Sequence, residues 1–195
     1  MQTNNALKAA DLMTLEAYAR ERAAFRARVL EHKRSRNIAV GPHMTWCFED
    51  RLTIQYQIQE MLRVERIFEP DAIQEELDSF NPLIPDGANL KATLLIEYPN
   101  ADERRTALGR LKGIERHCWI RVATERFAAI ADEDLEREND AKTSAVHFLR
   151  FELNPAAIAA LKNGATVELA VDHPAYRHSV ALSADSSRSL AADLA

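Results

Sequence analysis

Residues 40–67, VGPHMTWCFEDRLTIQYQIQEMLRVERI, bring an imidazole, a thiol, an indole and four carboxylates into one short stretch. At about 100° per residue, Glu49, Thr53, Tyr56, Gln57 and Glu60 fall within a quarter of a helix circumference. His43, just upstream, could fold back onto that stripe. One imidazole and two carboxylates are a donor set for a divalent transition metal or a proton relay. The structural reading of the same residues is simpler. Glu49 and Asp50 suit the positive end of the helix dipole, and Glu60 has Arg63 or another base to pair with. A second group is DHPAYRH, with Asp172, His173, Tyr176 and His178. Two imidazoles and an acid at a hairpin tip could hold a metal, but Asp-His-Pro is also ordinary turn chemistry. His147, in SAVHFLRF, reads as a locally bonded strand histidine unless it converges with His43 and His173. Cys47 lies between Trp46 and Phe48, an apolar setting that raises a thiol's pKa and makes it inert.

Several chemistries lose their support in the sequence. No Glu-x-x-His step occurs on the second helix and no His-Glu-x-x-His step is present. No Gly-x-Ser-x-Gly elbow exists, and the five glycines read as turn or cap residues, leaving none for a phosphate loop. Cys47 and Cys118 stand far apart, in no Cys-x-x-Cys spacing, so a zinc or iron–sulfur site of the chain's own is not expected. The formal net charge of −5 and the pI near 5.7 argue against nucleic acid as the partner. The remaining route to it is the basic first helix, Arg20 to Arg36, whose arginines also serve as helix formers and solubilisers. Residues 132–140, DEDLEREND, predict an acidic loop. The absence of a long apolar run or signal-peptide pattern predicts no membrane association and a cytoplasmic chain with reduced thiols.

The elements that must position these residues follow from periodicity. A first helix from Asp11 or Thr14 to Arg36 carries Leu15, Tyr18, Phe25 and Val29 on one stripe, interrupted by Arg22, which must snorkel or pair. Gly41-Pro42 stops it. In HMTWCF, Met44, Trp46 and Phe48 point one way and His43, Thr45 and Cys47 the other. A second helix is expected over Glu49–Phe68, with Ile54, Ile58, Met61, Leu62 and Phe68 as its apolar face. A third runs from Pro70 to Phe80. From Asn89 the period becomes that of strands: LKATLLIEY, HCWIRVA, RFAAIA, SAVHFLRFEL, TVELAV and RHSVAL, the last two a hairpin. Short helices follow Asn100 and Asn154, with a last one at DSSRSLAADLA. The order predicts a single α+β domain over 1–195. Its helical part, about 11–80, packs on a mixed sheet of five or six strands at about 89–183, with the segment 89–123 suited to a parallel pair.

The phrases RNIAVGPHMTWCFEDRLTIQYQIQEMLRVERIF, EELDSFNPLIPDGANLKATLLIEYP, IADEDLERENDAKTSAVHFLRFEL and VDHPAYRH together resemble a bacterial family of proteins of unknown function, over about Leu12 to His178. The resemblance assigns no catalytic residue. Similar chains are often encoded beside rubrerythrin-like and iron–sulfur, heterodisulfide-reductase-like proteins, which implies an accessory or binding role in redox or oxidative-stress metabolism and a partner of that type. The sequence departs from the family at TWC, where aliphatic residues are more usual, and this weighs against a catalytic Cys47. Metal binding through His43, Glu49 and Glu60 or through His147, His173 and His178, and nucleic-acid binding through the first helix, stand as the alternatives.

Overall fold

The protein's structure, a computed structural model, describes residues 5–131 and 142–195. The acidic run expected at 132–140 lies outside the described residues. The element order is α1 (Leu15–Lys33), β1 (Asn37–Ala39), β2 (Met44–Phe48), α2 (Arg51–Glu65), α3 (Pro70–Phe80), β3 (Asn89–Ile96), α4 (Ala101–Arg110), β4 (Cys118–Val122), β5 (Glu125–Ala128), β6 (Ile130–Ala131), β7 (Val146–Glu152), α5 (Pro155–Lys162), β8 (Val167–His173), β9 (Tyr176–Ala181) and α6 (Ala184–Ala191). This is the α+β class that the sequence predicts.

The strands do not form one mixed sheet. They form two antiparallel ones, ordered β1-β2-β3-β7-β6 and β5-β4-β8-β9. The parallel pairing expected within 89–123 is absent, because β3 pairs with β2 and β7 while β4 pairs with β5 and β8. Alternation explains how both sheets share a core. Met44, Trp46 and Phe48 of β2 are buried on the face that also carries Leu90, Ala92 and Leu94 of β3. These residues join Ile120, Val122, Leu169 and Val171 of the second sheet in one apolar cluster, completed by Leu108 of α4, Leu161 of α5 and Leu190 of α6. Trp46 stacks on Phe151 with ring centroids 5.5 Å apart.

The N-terminal helices build separate, smaller cores. Ile54, Ile58 and Leu62 of α2 meet Leu77 of α3 and Leu7, while Tyr18, Phe25 and Val29 form the buried stripe of α1. α2 is shorter than the expected span at both ends. Asp50 is its N-cap, accepting the Thr53 N–H at 2.9 Å while its own N–H donates to Thr53 Oγ1. Arg66 takes the left-handed conformation (φ 57°) and closes it. Phe68, expected on the apolar face, therefore lies past the helix end and is 67% exposed.

Candidate functional site

α3 and the 3-10 turn Asn81–Leu83 that follows it overhang the outer face of the first sheet and leave a groove of about 870 Å³. Glu49 lies on its floor. The residue sits between the end of β2 and the cap of α2, where its N–H donates to Lys91 O at 2.8 Å and ties it to β3. Its side chain turns under the first turns of α2. There Thr53 Oγ1 donates to Oε2 at 2.6 Å and Gln57 Nε2 donates to the same oxygen at 3.0 Å. Thr93 Oγ1, across on β3, donates to Oε1 at 2.8 Å. Glu49 is 3% exposed and takes part in none of the ion pairs among the described residues, so all these bonds come from neutral groups.

Lys91 lines the same groove two residues along β3 from Thr93. Its ammonium donates to Pro82 O at 2.6 Å and Ile84 O at 2.9 Å. Burial pushes its pKa below the usual lysine range. Arg150 of β7 stands directly opposite Lys91 in register, a like-charged cross-strand pair that is unfavourable in itself. Glu152 takes the Arg150 guanidinium in an ion pair. Among the described residues, Lys91 has no carboxylate within ion-pair distance.

The six residues singled out in the sequence do not converge. Glu60 accepts from Tyr18 Oη at 2.6 Å and from Arg22 Nε and Nη2 at 2.7 Å each, and the Arg22 hydrogen bonds hold its carboxyl down at about 2. This is how Arg22, the break in the α1 stripe, is accommodated. His43 does not fold back onto α2. Its ring stacks on Tyr98 at 4.0 Å, and its N–H donates to Tyr176 Oη at 3.1 Å. His178 packs on the Tyr176 ring with centroids 4.5 Å apart, so Tyr176 touches both histidines. Tyr176 Oη donates in turn to Val40 O at 2.7 Å. Gly41 is required here, since a Cβ on it would lie 2.5 Å from His178 Cγ and from Tyr176 Oη.

His173 is the last residue of β8. The Ala175 N–H donates to its Nδ1 at 3.1 Å, and Nε2 lies 3.1 Å from Lys112 O, so both ring nitrogens are occupied by the backbone. Its neighbour Asp172 is occupied by Arg126 at 2.7 Å, Trp119 Nε1 at 3.2 Å and His117 at 3.2 Å. His147 is buried in β7 near Thr143 Oγ1 at 3.1 Å, with Nδ1 3.9 Å from Glu115 Oε2. That buried carboxylate oxygen has no hydrogen-bond partner among the described residues. Among the same residues, no three His, Cys, Asp or Glu side chains gather in a group that could hold a metal ion.

Both thiols are free and poorly ionised. Burial, with Glu49 adding to it, pushes Cys47 up to about 11, and burial pushes Cys118 higher still. The basic first segment is partly committed internally. Arg22 serves Glu60, and Arg36, 1% exposed, is a hub. It donates to Phe48 O and Glu49 O at 3.0 Å each, to Ser189 O at 3.2 Å and to Asp193 at 2.5 Å. Burial works against the Asp50 carboxylate nearby, but Arg36, the Thr53 N–H and His32 outweigh it and hold its pKa below the usual carboxylate range.

Sequence reasoning finds Glu49 and the Thr53–Gln57 stripe but misses Lys91, Thr93, Arg150 and Arg36. For the strand residues the one available signal is the polar alternation Lys91, Thr93; the partner strand that completes the groove is not encoded nearby.

A two-sheet α+β protein with an open, charge-lined groove is the class these features define. The chain belongs to the family described as "Protein of unknown function (DUF3501)", whose model matches residues 6–194. It is similar to a crystal structure of a "novel protein of unknown function" from Burkholderia pseudomallei K96243, at 53% identity over 97% of this chain and 100% of that one, with a TM-score of 0.93. No curated protein matches the chain. Among the described residues, no helix is long and apolar enough to cross a membrane.

Proposed function

We propose that this chain is a single-domain binding or accessory protein of redox metabolism, with the groove beneath α3 as its binding site. The carrying observation is the buried Glu49 carboxylate on the groove floor, satisfied by neutral donors alone. A charge kept in that state is costly to bury, and placing it at an accessible groove suits recognition better than scaffolding. The raised thiol pKa values support a role without thiol redox chemistry of the chain's own. Partner and compartment come from the resemblance and the composition: a rubrerythrin-like or iron–sulfur protein, in a cytoplasm where unpaired thiols stay reduced. The test is affinity capture with the full chain under oxidative stress, beside a Ser79→Trp variant that fills the groove from an exposed position on α3. Recovery of such a partner by the parent chain and its loss with the variant is the expected result. Recovery of none by either removes the redox assignment.

Metal binding is the second reading, and the buried Glu115 Oε2, without a hydrogen bond among the described residues and 3.9 Å from His147 Nδ1, is the observation that favours it. Elemental analysis of untagged protein decides it: less than about a tenth of an equivalent of any transition metal, without uptake on titration, rejects a site of useful affinity.

A further inference from the structure

Among the described residues, the groove holds two opposite charges that neither neutralise each other nor meet any other ion. Glu49 is bonded to Thr53, Gln57 and Thr93, all neutral donors. Lys91 is bonded to the carbonyls of Pro82 and Ile84, both neutral acceptors. No ion pair joins the two, although the Glu49 N–H rests on Lys91 O and both side chains line the same space. Each group also keeps unused capacity. An ammonium has three donors, of which Lys91 spends two on carbonyls. A carboxylate oxygen accepts two hydrogen bonds, and Glu49 Oε1 accepts one, from Thr93.

The remaining charges around the groove sharpen the pattern. Arg150 faces Lys91 across the strands and is taken by Glu152. Asp86 and Glu152 act on Lys91 only from beyond ion-pair distance. Among the described residues, Lys91 is therefore the groove's cation without an ion-pair partner and Glu49 its carboxylate without one. A simple anion satisfies the first and is repelled by the second, and a simple cation meets the reverse.

We propose that the groove binds a small zwitterion of the free amino-acid type, its ammonium on Glu49 Oε1 and its carboxylate on Lys91. Glu49 and Lys91 project from neighbouring positions on the floor: the Thr93 that holds Glu49 and Lys91 itself are two residues apart on one strand face, about 7 Å along the chain. An amino acid places its two charged groups within that span. The volume of the groove leaves room for a substantial side chain over the apolar part of the lining, Phe80, Leu83 and Ile130. This inference rests on the reading of the groove as a binding site and adds the chemical class of its occupant.

The experiment titrates each standard L-amino acid singly into the purified full chain, scored by thermal shift and confirmed by calorimetry. At least one is expected to bind. Its decarboxylated amine and its N-acetylated acid, which each lack one of the two charges, should bind at least about tenfold more weakly, as should Glu49→Gln and Lys91→Met variants to the intact amino acid. No binding by any amino acid, or binding that survives removal of either charge, overturns the proposal. The two ligand analogues are tested on the parent chain, so the outcome is decisive even where a variant fails to fold. If Ser79→Trp abolishes partner recovery while no zwitterion binds, the groove remains the binding site and this inference alone is lost.

Discussion

Replacing Arg36 with Met keeps an unbranched stem of similar length and removes every donor of the guanidinium. The structure lets the cost be worked group by group. Phe48 O and Glu49 O each lose a bond of 3.0 Å in the interior, and the half-buried Asp193 loses its 2.5 Å partner. Breaking a buried pair from one side costs about 3–5 kcal/mol, reduced to the extent that His32, which also acts on Asp193, takes over from Arg36. For a chain of this length that corresponds to a fall in Tm of roughly 6–20 °C. Urea unfolding followed by the fluorescence of Trp46, fully buried between the sheets, is the assay, with an unchanged m-value required for a two-state comparison. The double variant Arg36→Met, Asp193→Leu removes the stranded carboxylate as well, so it should be less destabilised than the sum of the single changes by about 1–3 kcal/mol. A loss below about 1 kcal/mol for Arg36→Met, or strict additivity in the double variant, refutes the account of Arg36 as the hub joining α6 to β1 and β2.

Three further outcomes are expected. Burial pushes Asp193 up to about 6 from an unfolded value of 3.8, so its contribution is complete below 3.8 and is lost as pH rises through 6. The urea midpoint of the parent chain should therefore gain on that of Asp193→Asn as pH is lowered from about 7 to about 5, and parallel pH profiles would contradict this. Cys47, with its thiol near 11 in place of 9.0, should react with iodoacetamide about a hundredfold more slowly in the native protein than in urea, and Cys118 only after unfolding; rapid labelling of the folded chain by mass spectrometry is the contrary result. Gly41→Ala puts a Cβ at a φ of 77° against His178 and Tyr176, and should lower stability by about 2 kcal/mol or more; a Tm within about 1 °C of the parent speaks against the close approach.

Local elements are legible because their signals are local. The α3 span from Pro70 to Phe80, the alternation Met44, Trp46, Phe48 and the β8–β9 hairpin all follow from spacing, caps and turn residues a few positions apart. Pairing between distant strands has no such signal. LKATLLIEY followed by a short helix and HCWIRVA looks like a parallel unit, yet β3 finds its neighbours at 44–48 and 146–152, and β4 goes to the other sheet. The candidate site divides in the same way. Glu49, Thr53 and Gln57 share a helical face that the sequence displays, although Glu49 itself precedes the helix. Lys91 and Arg150 become site residues only through a cross-strand register. Phe68 escapes the expected apolar face because the left-handed Arg66 ends α2 two residues before it, and a non-glycine residue in that conformation leaves no mark in the sequence.

Residues 190–195 are woven into much earlier parts of the chain: Ala195 N–H rests on Gly87 O, Leu190 and Leu194 sit in the inter-sheet core, and Asp193 meets Arg36 across 157 positions. The interior therefore seals only once residues 190–195 have emerged from the ribosome. A chain lacking residues 190–195 presents the Trp46 face and a bare Arg36 guanidinium, a state open to chaperones and proteolysis.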